Sequence, residues 1–278
     1  MRLGKHVSIA GGLDKAVIRA HDINCNALQI FVKNPRGWKF RDFGKKEINK
    51  IKDNIKKLNM YPLVVHSSYL INLASPKEEL WQKSLDVLTK EYKRSHKIGA
   101  QYLILHPGNH TGSGTNKGIK KIQKGLNKLL KESQDNGPMI LLENVAGAGT
   151  AIGSKFEELY DIINGVEMHN KLGICLDTCH AFTAGYNLKS KKGLDETLTI
   201  FDEKIGIEKL KVIHINDSKK EFASKKDEHA HIDEGKIGKE AFAIIINHNL
   251  LKNIPFILET PQFDGEDKDV KILWSLKN

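Results

Sequence analysis

The 278 residues carry 44 Lys+Arg against 34 Asp+Glu, a formal net charge of +10, with 40% hydrophobic and 28% charged residues. That balance is globular and excludes intrinsic disorder and collagen-like repeats. No apolar run approaches the roughly 18 residues of a membrane-spanning helix. Three cysteines (Cys25, Cys175, Cys179) are too few and odd in number for a disulfide framework, and Met1 to Ala10 lack the apolar core of a secretory signal. A cytoplasmic chain with no membrane association is expected. The cationic excess suits a polyanion such as nucleic acid, through counterion release, and suits a solvated lysine-rich surface equally well.

In chain order, short β-rich runs alternate with helical patterns. Strands are expected at His6–Ala10, Ala27–Phe31, Leu63–His66, Tyr102–His106, Met139–Glu143, Leu172–Asp177, Leu210–Asn216 and Phe256–Glu259. Helices are expected at Leu13–Ile23, Lys45–Leu58, Lys77–Ile98, Asn116–Glu132, Phe156–Ile163, Leu194–Ile205, Lys239–Asn247 and around Lys268–Leu276. Ser75 reads as the N-cap of the third helix, with Pro76 in its first turn, and Gly99 reads as its stop. No linker or repeat divides the chain, so a single catalytic domain over residues 1–278 is expected. Eight strands and eight helices in alternation predict an α/β fold, a (β/α)8 TIM barrel with its active site at the carboxyl ends of the strands. An open doubly wound sheet would alternate similarly, but the Ala10-Gly11-Gly12 turn lacks a full G-x-G-x-x-G fingerprint.

Six consecutive strands end in a residue that binds metals: His66, His106, Glu143, Asp177 (followed by His180), His214 and Glu259. Alone, each is most simply a hydrogen-bonded residue, a helix cap or half of an ion pair. Six converging on one barrel mouth would repel one another unless cations stood between them. In the loop after the seventh strand, Asp227 and His229 stand at i, i+2, and with His180 on a neighbouring loop they could close one more site. His21, His96, His169 and His248 lie in helical or loop patterns with polar neighbours and are left out. Nine ligands of mixed imidazole and carboxylate type favour Zn2+ or Mn2+ over Mg2+ or Ca2+, and exceed what one ion can use. Several ions close together suit phosphodiester hydrolysis, and the net charge then suits nucleic acid.

These residues resemble the endonuclease IV family of zinc-dependent apurinic/apyrimidinic endonucleases. The matching blocks are His66-Ser-Ser-Tyr-Leu-Ile-Asn72, His106-Pro-Gly108, Glu143-Asn144, Asp177-Thr-Cys-His180, His214-Ile-Asn-Asp-Ser-Lys219, Asp227-x-His229 and Glu259-Thr-Pro261, with the opening Gly4 to Leu13. They run over essentially the whole chain in the family's order. The resemblance implies a trinuclear zinc centre, with Mn2+ admissible at one position. It gives His66, His106 and Glu143 to the first ion. It gives the bridging Glu143 with Asp177, His214 and Glu259 to the second, and His180, Asp227 and His229 to the third. It implies catalytic roles for Glu143 and Glu259, one of which orients the hydroxide that attacks the phosphate 5′ to an abasic sugar in duplex DNA. The products would be a 3′-hydroxyl and a 5′-deoxyribose phosphate, and blocked 3′ ends would be cleaned as well. Arg36 and Tyr69 stand where the family probes the opened base stack, and a monomer is expected.

The loop Lys33-Asn-Pro-Arg-Gly-Trp-Lys-Phe40 mixes cations with aromatics as a DNA-entering loop would, although without the resemblance the favoured reading is an ordinary solvated loop with Trp38 packed on the barrel rim. The Gly108-Asn109-His110 turn could bring a backbone N–H to a phosphate. Two positions depart from the family pattern: Glu228 stands where Arg is usual, and Asp233 where Gly is common. His231 is not read as a ligand, and Cys175 and Cys179 read as small buried hydrophobes. The rival readings are a metal-dependent sugar isomerase or epimerase on a related barrel, and a catalytically silent DNA-binding barrel.

Overall fold

The computed structural model describes residues 1–133, 137–261, 263 and 266–278. Eight parallel strands form one closed barrel: β1 (Leu3–His6), β2 (Ala27–Phe31), β3 (Leu63–His66), β4 (Tyr102–Leu105), β5 (Met139–Glu143), β6 (Leu172–Asp177), β7 (Leu210–His214) and β8 (Phe256–Leu258). Each pairs with its sequence neighbours, and β8 closes on β1 with Leu3 opposite Phe256. Around it lie α1 (Leu13–Asp22), α2 (Lys45–Lys57), α3 (Glu78–Ile98), α4 (Thr115–Glu132), α5 (Phe156–Asn164), α6 (Thr178–Ala184), α7 (Lys191–Lys204), α8 (Lys239–Asn247) and α9 (Lys268–Ser275). None of the described helices is long and apolar enough to cross a membrane.

Strand alternation divides the core in two. Ala27, Val64, Ile104, Leu141, Cys175, Val212 and Ile257 pack together inside the barrel. Their neighbours in sequence, such as Leu28, Leu63, Val65, Leu103, Ile140 and Ile213, belong to the larger cluster between barrel and helices. Gly4 is a glycine for steric reasons: a Cβ there would come within 2.6 Å of the Ala27 backbone and 2.7 Å of Ile257.

The TIM barrel is the architecture the alternation predicted, with corrections at element ends. The first strand is Leu3–His6 rather than His6–Ala10. Val7 N still donates to Gln29 O at 2.9 Å, but beyond it the Arg19 guanidinium ties down the carbonyls of Ser8 and Ala10, and Gly11 and Gly12 turn the chain at positive φ. The polar/apolar alternation that read as strand is therefore a loop. Helix α3 begins at Glu78 with Lys77 at its N-cap, because Ser75 Oγ accepts the Lys77 N–H before the helix starts; Gly99 does end it in the left-handed conformation. Helix α7 starts three residues early, at Lys191, where Ser190 Oγ accepts the Gly193 N–H at 3.1 Å. Helix α6 was not foreseen. Asp177 caps it through His180 N at 2.7 Å, so a strand-end carboxylate places a histidine one turn onward. Short two-residue ribbons pair Gly108–Asn109 with Ala151–Ile152 and Asp217–Ser218 with His229–Ala230.

Candidate metal centre

Two residues beyond each interior apolar position, within the strand or one residue past its end at His106 and Glu259, stands a polar side chain. Ala27 leads to Gln29, Val64 to His66, Ile104 to His106, Leu141 to Glu143, Cys175 to Asp177, Val212 to His214 and Ile257 to Glu259. The barrel floor is apolar and the level above it is a ring of ligating groups. The nine residues singled out from sequence converge into three groups, His66/His106/Glu143, Glu143/Asp177/His214/Glu259 and His180/Asp227/His229, within each of which the ligating atoms lie within 4.8 Å of one another. Glu143 Oε2 stands 3.2 Å from His66 Nε2 and 3.0 Å from His106 Nε2, while its Oε1 stands 3.0 Å from His214 Nδ1. Glu259 Oε2 is 3.1 Å from His214 Nδ1, and Asp227 Oδ2 is 3.1 Å from His180 Nε2. His229 Nε2 faces both Asp177 at 3.6 Å and Asp227 at 3.5 Å.

Outer contacts decide which ring nitrogen each histidine presents. His66 Nδ1 donates to Ser67 O at 2.7 Å and His180 Nδ1 donates to Asn144 O at 2.9 Å, which leaves both Nε2 atoms facing carboxylates. Asn144 accepts Asp177 N through Oδ1 at 2.6 Å, and Asn216 Nδ2 donates to Asp177 Oδ2 at 2.7 Å. Among the described residues, His180 Nε2 and His229 Nε2 are buried with no hydrogen-bond partner. Buried nitrogens that make no hydrogen bond and point at carboxylates fit metal ions, which need lone pairs and not protons.

The electrostatics agree with that fit. Burial opposes charge on Glu143 and Glu259, yet the His214 and His106 imidazoles around Glu143, and His214 beside Glu259, hold both carboxyls well below the usual carboxylate range. Burial also opposes charging of His180 and His214. Asp177 and Asp227 outweigh it for His180, and Cys175, Glu259 and Glu143 for His214, so both imidazoles are raised well above their ordinary value. The three thiols behave otherwise. All are buried, and burial pushes each up to about 12, so none is a thiolate near neutrality. Cys179 stands near Asp177 and His229; its Sγ bonds the Glu228 carbonyl at 3.8 Å.

Above the centre opens a cleft of about 1090 Å³, lined among others by His66, His106, His180, Asp227, His229 and Glu259. Tyr69 stands on its wall, 61% exposed and edge-on to Phe31 at 5.3 Å. Arg36 is exposed on the loop after β2 and does not line the cleft. That loop is fastened at its base rather than free to enter a duplex as a whole. Trp38 packs against the core with Lys83 over its ring at 4.2 Å, and Arg94 stacks on Phe43 at 3.7 Å while donating to Val32 O. Lys33 is buried, with its Nζ 3.7 Å from Glu91. At the Gly108-Asn109-His110 turn, His110 Nδ1 accepts the backbone N–H groups of Gly112 and Gly114. Glu228 lines the cleft but is paired with Lys219 at 3.3 Å and Lys220 at 2.6 Å, so its charge is answered locally. Asp233 sits at φ 74°, in the left-handed region that favours Gly. His231 bonds Asp269 at 2.8 Å and, among the described residues, belongs to no ligand group.

Sequence reasoning missed two members of the ring. Gln29 and His6 face the centre beside Glu259, with Gln29 Nε2 2.7 Å from Glu259 Oε1 and His6 Nδ1 3.6 Å from it. The signal was the step of two residues from the small interior positions Ala27 and Gly4, hidden for Gln29 because it lies inside an apolar run and not at its end.

A family model described as a xylose isomerase-like TIM barrel matches residues 17–275. Over 273 residues the chain is 62% identical to the probable endonuclease 4 of Halothermothrix orenii, covering 98% of each protein. The chain belongs to the endonuclease IV family. The probable endonuclease 4 of Nitrosopumilus maritimus is 42% identical over 96% of each protein. The crystal structure of endonuclease IV from Thermus thermophilus superposes with a TM-score of 0.89 at 34% identity, covering 99% of this chain and 98% of that one. As an endonuclease IV family member the chain is a metal-dependent nuclease of the hydrolase class. A D-tagatose 3-epimerase-like protein superposes at 0.73 with 20% identity over 99% of this chain and 95% of that one, which is a likeness of barrel only. The sugar epimerase reading is set aside on the 62% identity to the probable endonuclease 4.

Proposed function

We propose that this chain is a DNA-repair nuclease that hydrolyses the phosphodiester 5′ to an abasic site in duplex DNA and removes blocking groups from 3′ ends, on a centre of three zinc ions. The observation that carries the reading is the division of nine ligands into three groups at the base of one cleft, in a chain of endonuclease IV sequence. His66, His106 and Glu143 would hold one ion, Glu143 with Asp177, His214 and Glu259 a second, and His180, Asp227 and His229 the third. Bound zinc supplies Lewis-acid stabilisation of phosphoryl and leaving oxygens and lowers the pKa of water.

The residues of the chain divide the remaining tasks. Glu143 is fully buried and stands against four histidines, which suits a bridging ligand. Glu259 lines the cleft and is 15% exposed, so it is the carboxylate that can reach the attacking water and take its proton. Tyr69 and Arg36 would probe the stack opposite the extruded nucleotide. An abasic nucleotide has no base to unstack, so extrusion itself selects the damage. The test is a duplex oligonucleotide with one abasic-site analogue and no added Mg2+. Metal-replete protein should cut it once, on the 5′ side, to leave a 3′-hydroxyl. Chelation should stop the reaction and zinc restore it; a duplex left intact by metal-replete protein overturns the proposal.

A further inference from the structure

Gln29 stands inside β2, fully buried, opposite His6 in the strand register. Its carboxamide reaches three groups of the centre. Nε2 donates to Glu259 Oε1 at 2.7 Å and to His6 Nδ1 at 2.9 Å, and Oε1 stands 2.8 Å from His214 Nε2. The orientation of this amide is not arbitrary. A carboxylate only accepts, so the NH2 end must face Glu259, and the carbonyl end must then face His214. A carbonyl also only accepts, so His214 must carry its proton on Nε2. In the neutral ring that leaves the lone pair on Nδ1, the atom 3.0 Å from Glu143 and 3.1 Å from Glu259.

We infer that Gln29 is a positioning residue that sets the tautomer of His214, so that Nδ1 is offered to a metal ion, while it steers Glu259 toward the same ion. Without the amide, the two carboxylates beside Nδ1 would draw the proton onto that nitrogen, and His214 would turn from a metal ligand into a hydrogen-bond donor that competes with the metal. By the same bond, neutral His6 carries its proton on Nε2. The inference rests on the metal-centre reading above and adds a residue outside the ligand set.

Gln29→Met keeps length and removes both polar ends. Gln29→Glu still accepts from His214 Nε2 but repels Glu259, so it separates the two roles. The full chain is titrated with zinc against a chromogenic chelator, and the imidazole tautomers of the metal-free protein, at an alkaline pH where the His214 ring is neutral, are read by long-range proton–nitrogen NMR. For Gln29→Met the expected result is one zinc held about 10- to 100-fold more weakly, the cost of losing an outer partner, with loss of the Nε2–H form of His214. For Gln29→Glu the Nε2–H form should persist. A melting curve of each metal-free variant checks the fold; if Gln29→Met does not fold, the tautomer and zinc affinity of Gln29→Glu still decide. Wild-type zinc affinity together with an unchanged His214 tautomer in Gln29→Met would overturn the inference, as would loss of the Nε2–H form in a folded Gln29→Glu. These readouts do not depend on cleavage, so a wild-type protein inactive on abasic duplex would sink the proposed function and leave this test standing.

Discussion

Glu143 and Glu259 are chemically alike and are separated by burial. Both carboxyls are held ionised, Glu143 at the centre of four histidines and Glu259 at the edge of the cleft with Gln29 and Asn216 on its oxygens. Replacing Glu259 by Gln keeps the shape and removes the base. The expected result is a fall in kcat of about 10²- to 10⁴-fold, the range for a positioned proton acceptor, with DNA affinity largely unchanged in a binding titration at low salt. Intact turnover with weakened DNA binding would assign Glu259 to recognition instead. At this scale the sequence was legible where a ligand ends an apolar run, because six ligating residues at the ends of six consecutive apolar runs are not independent accidents. It was illegible at Gln29, where a neutral amide inside a strand carries no such alarm, and at Asp233, whose strain is a backbone property.

At the scale of elements, α3 does more than cover the barrel. Its buried Glu91 accepts Ser68 N at 3.0 Å, on the loop that carries Tyr69, and stands 3.7 Å from the buried Lys33 ammonium, on the loop that carries Arg36. One carboxylate thus joins the two loops that would read damage. Burial raises the pKa of Glu91 against the opposing pull of Ser68 and Lys33, and burial lowers that of Lys33, so each charge depends on the other. Glu91→Ala would strand the Lys33 ammonium and leave the Ser68 N–H without its acceptor. A loss of about 3 kcal/mol in urea unfolding is expected, with poorer discrimination of abasic over intact duplex. Glu91→Gln, which still accepts from Ser68 N, should lose less of both. A destabilised Glu91→Ala whose discrimination is unaltered would show that the loops keep their places independently. None of this was legible in the sequence, where Glu91 is one polar position in an amphipathic helix. The helix itself was legible to within a residue, because 3.6-residue periodicity and Gly99 are local signals, whereas an ion pair 58 positions apart is set only once the barrel closes.

At the scale of the whole molecule, barrel closure gathers charges from β3 to β8 that no local segment could hold together. In the chain without metal, protons take the place of cations. His66, His180 and His214 are raised above their ordinary value: burial opposes their charge, and the surrounding carboxylates, with Cys175 beside His214, outweigh it. Stability from a raised histidine is complete below its unfolded pKa of about 6.5 and is lost as pH climbs through the folded value. Stability from the depressed Glu143 and Glu259 is present above about pH 4.3 and is lost only as pH falls through their much lower folded values. The centre therefore favours the metal-free fold most between roughly pH 5 and 6, and less as pH rises. Zinc held at this centre would reverse the trend, because ligation needs neutral imidazoles and must expel their protons. Zinc should also make the cleft more attractive to DNA by neutralising Glu143, Asp177, Asp227 and Glu259, in a chain whose formal charge is already +10. The zinc-induced rise in Tm should thus grow from about pH 5.5 to about pH 8. Calorimetric zinc titrations in buffers of different ionisation heat should show proton release that declines toward the alkaline end. A Tm rise equal at both ends, with no proton release, would mean that the imidazoles of His66, His180 and His214 are not the groups that zinc engages, and would move the metals out of the barrel mouth.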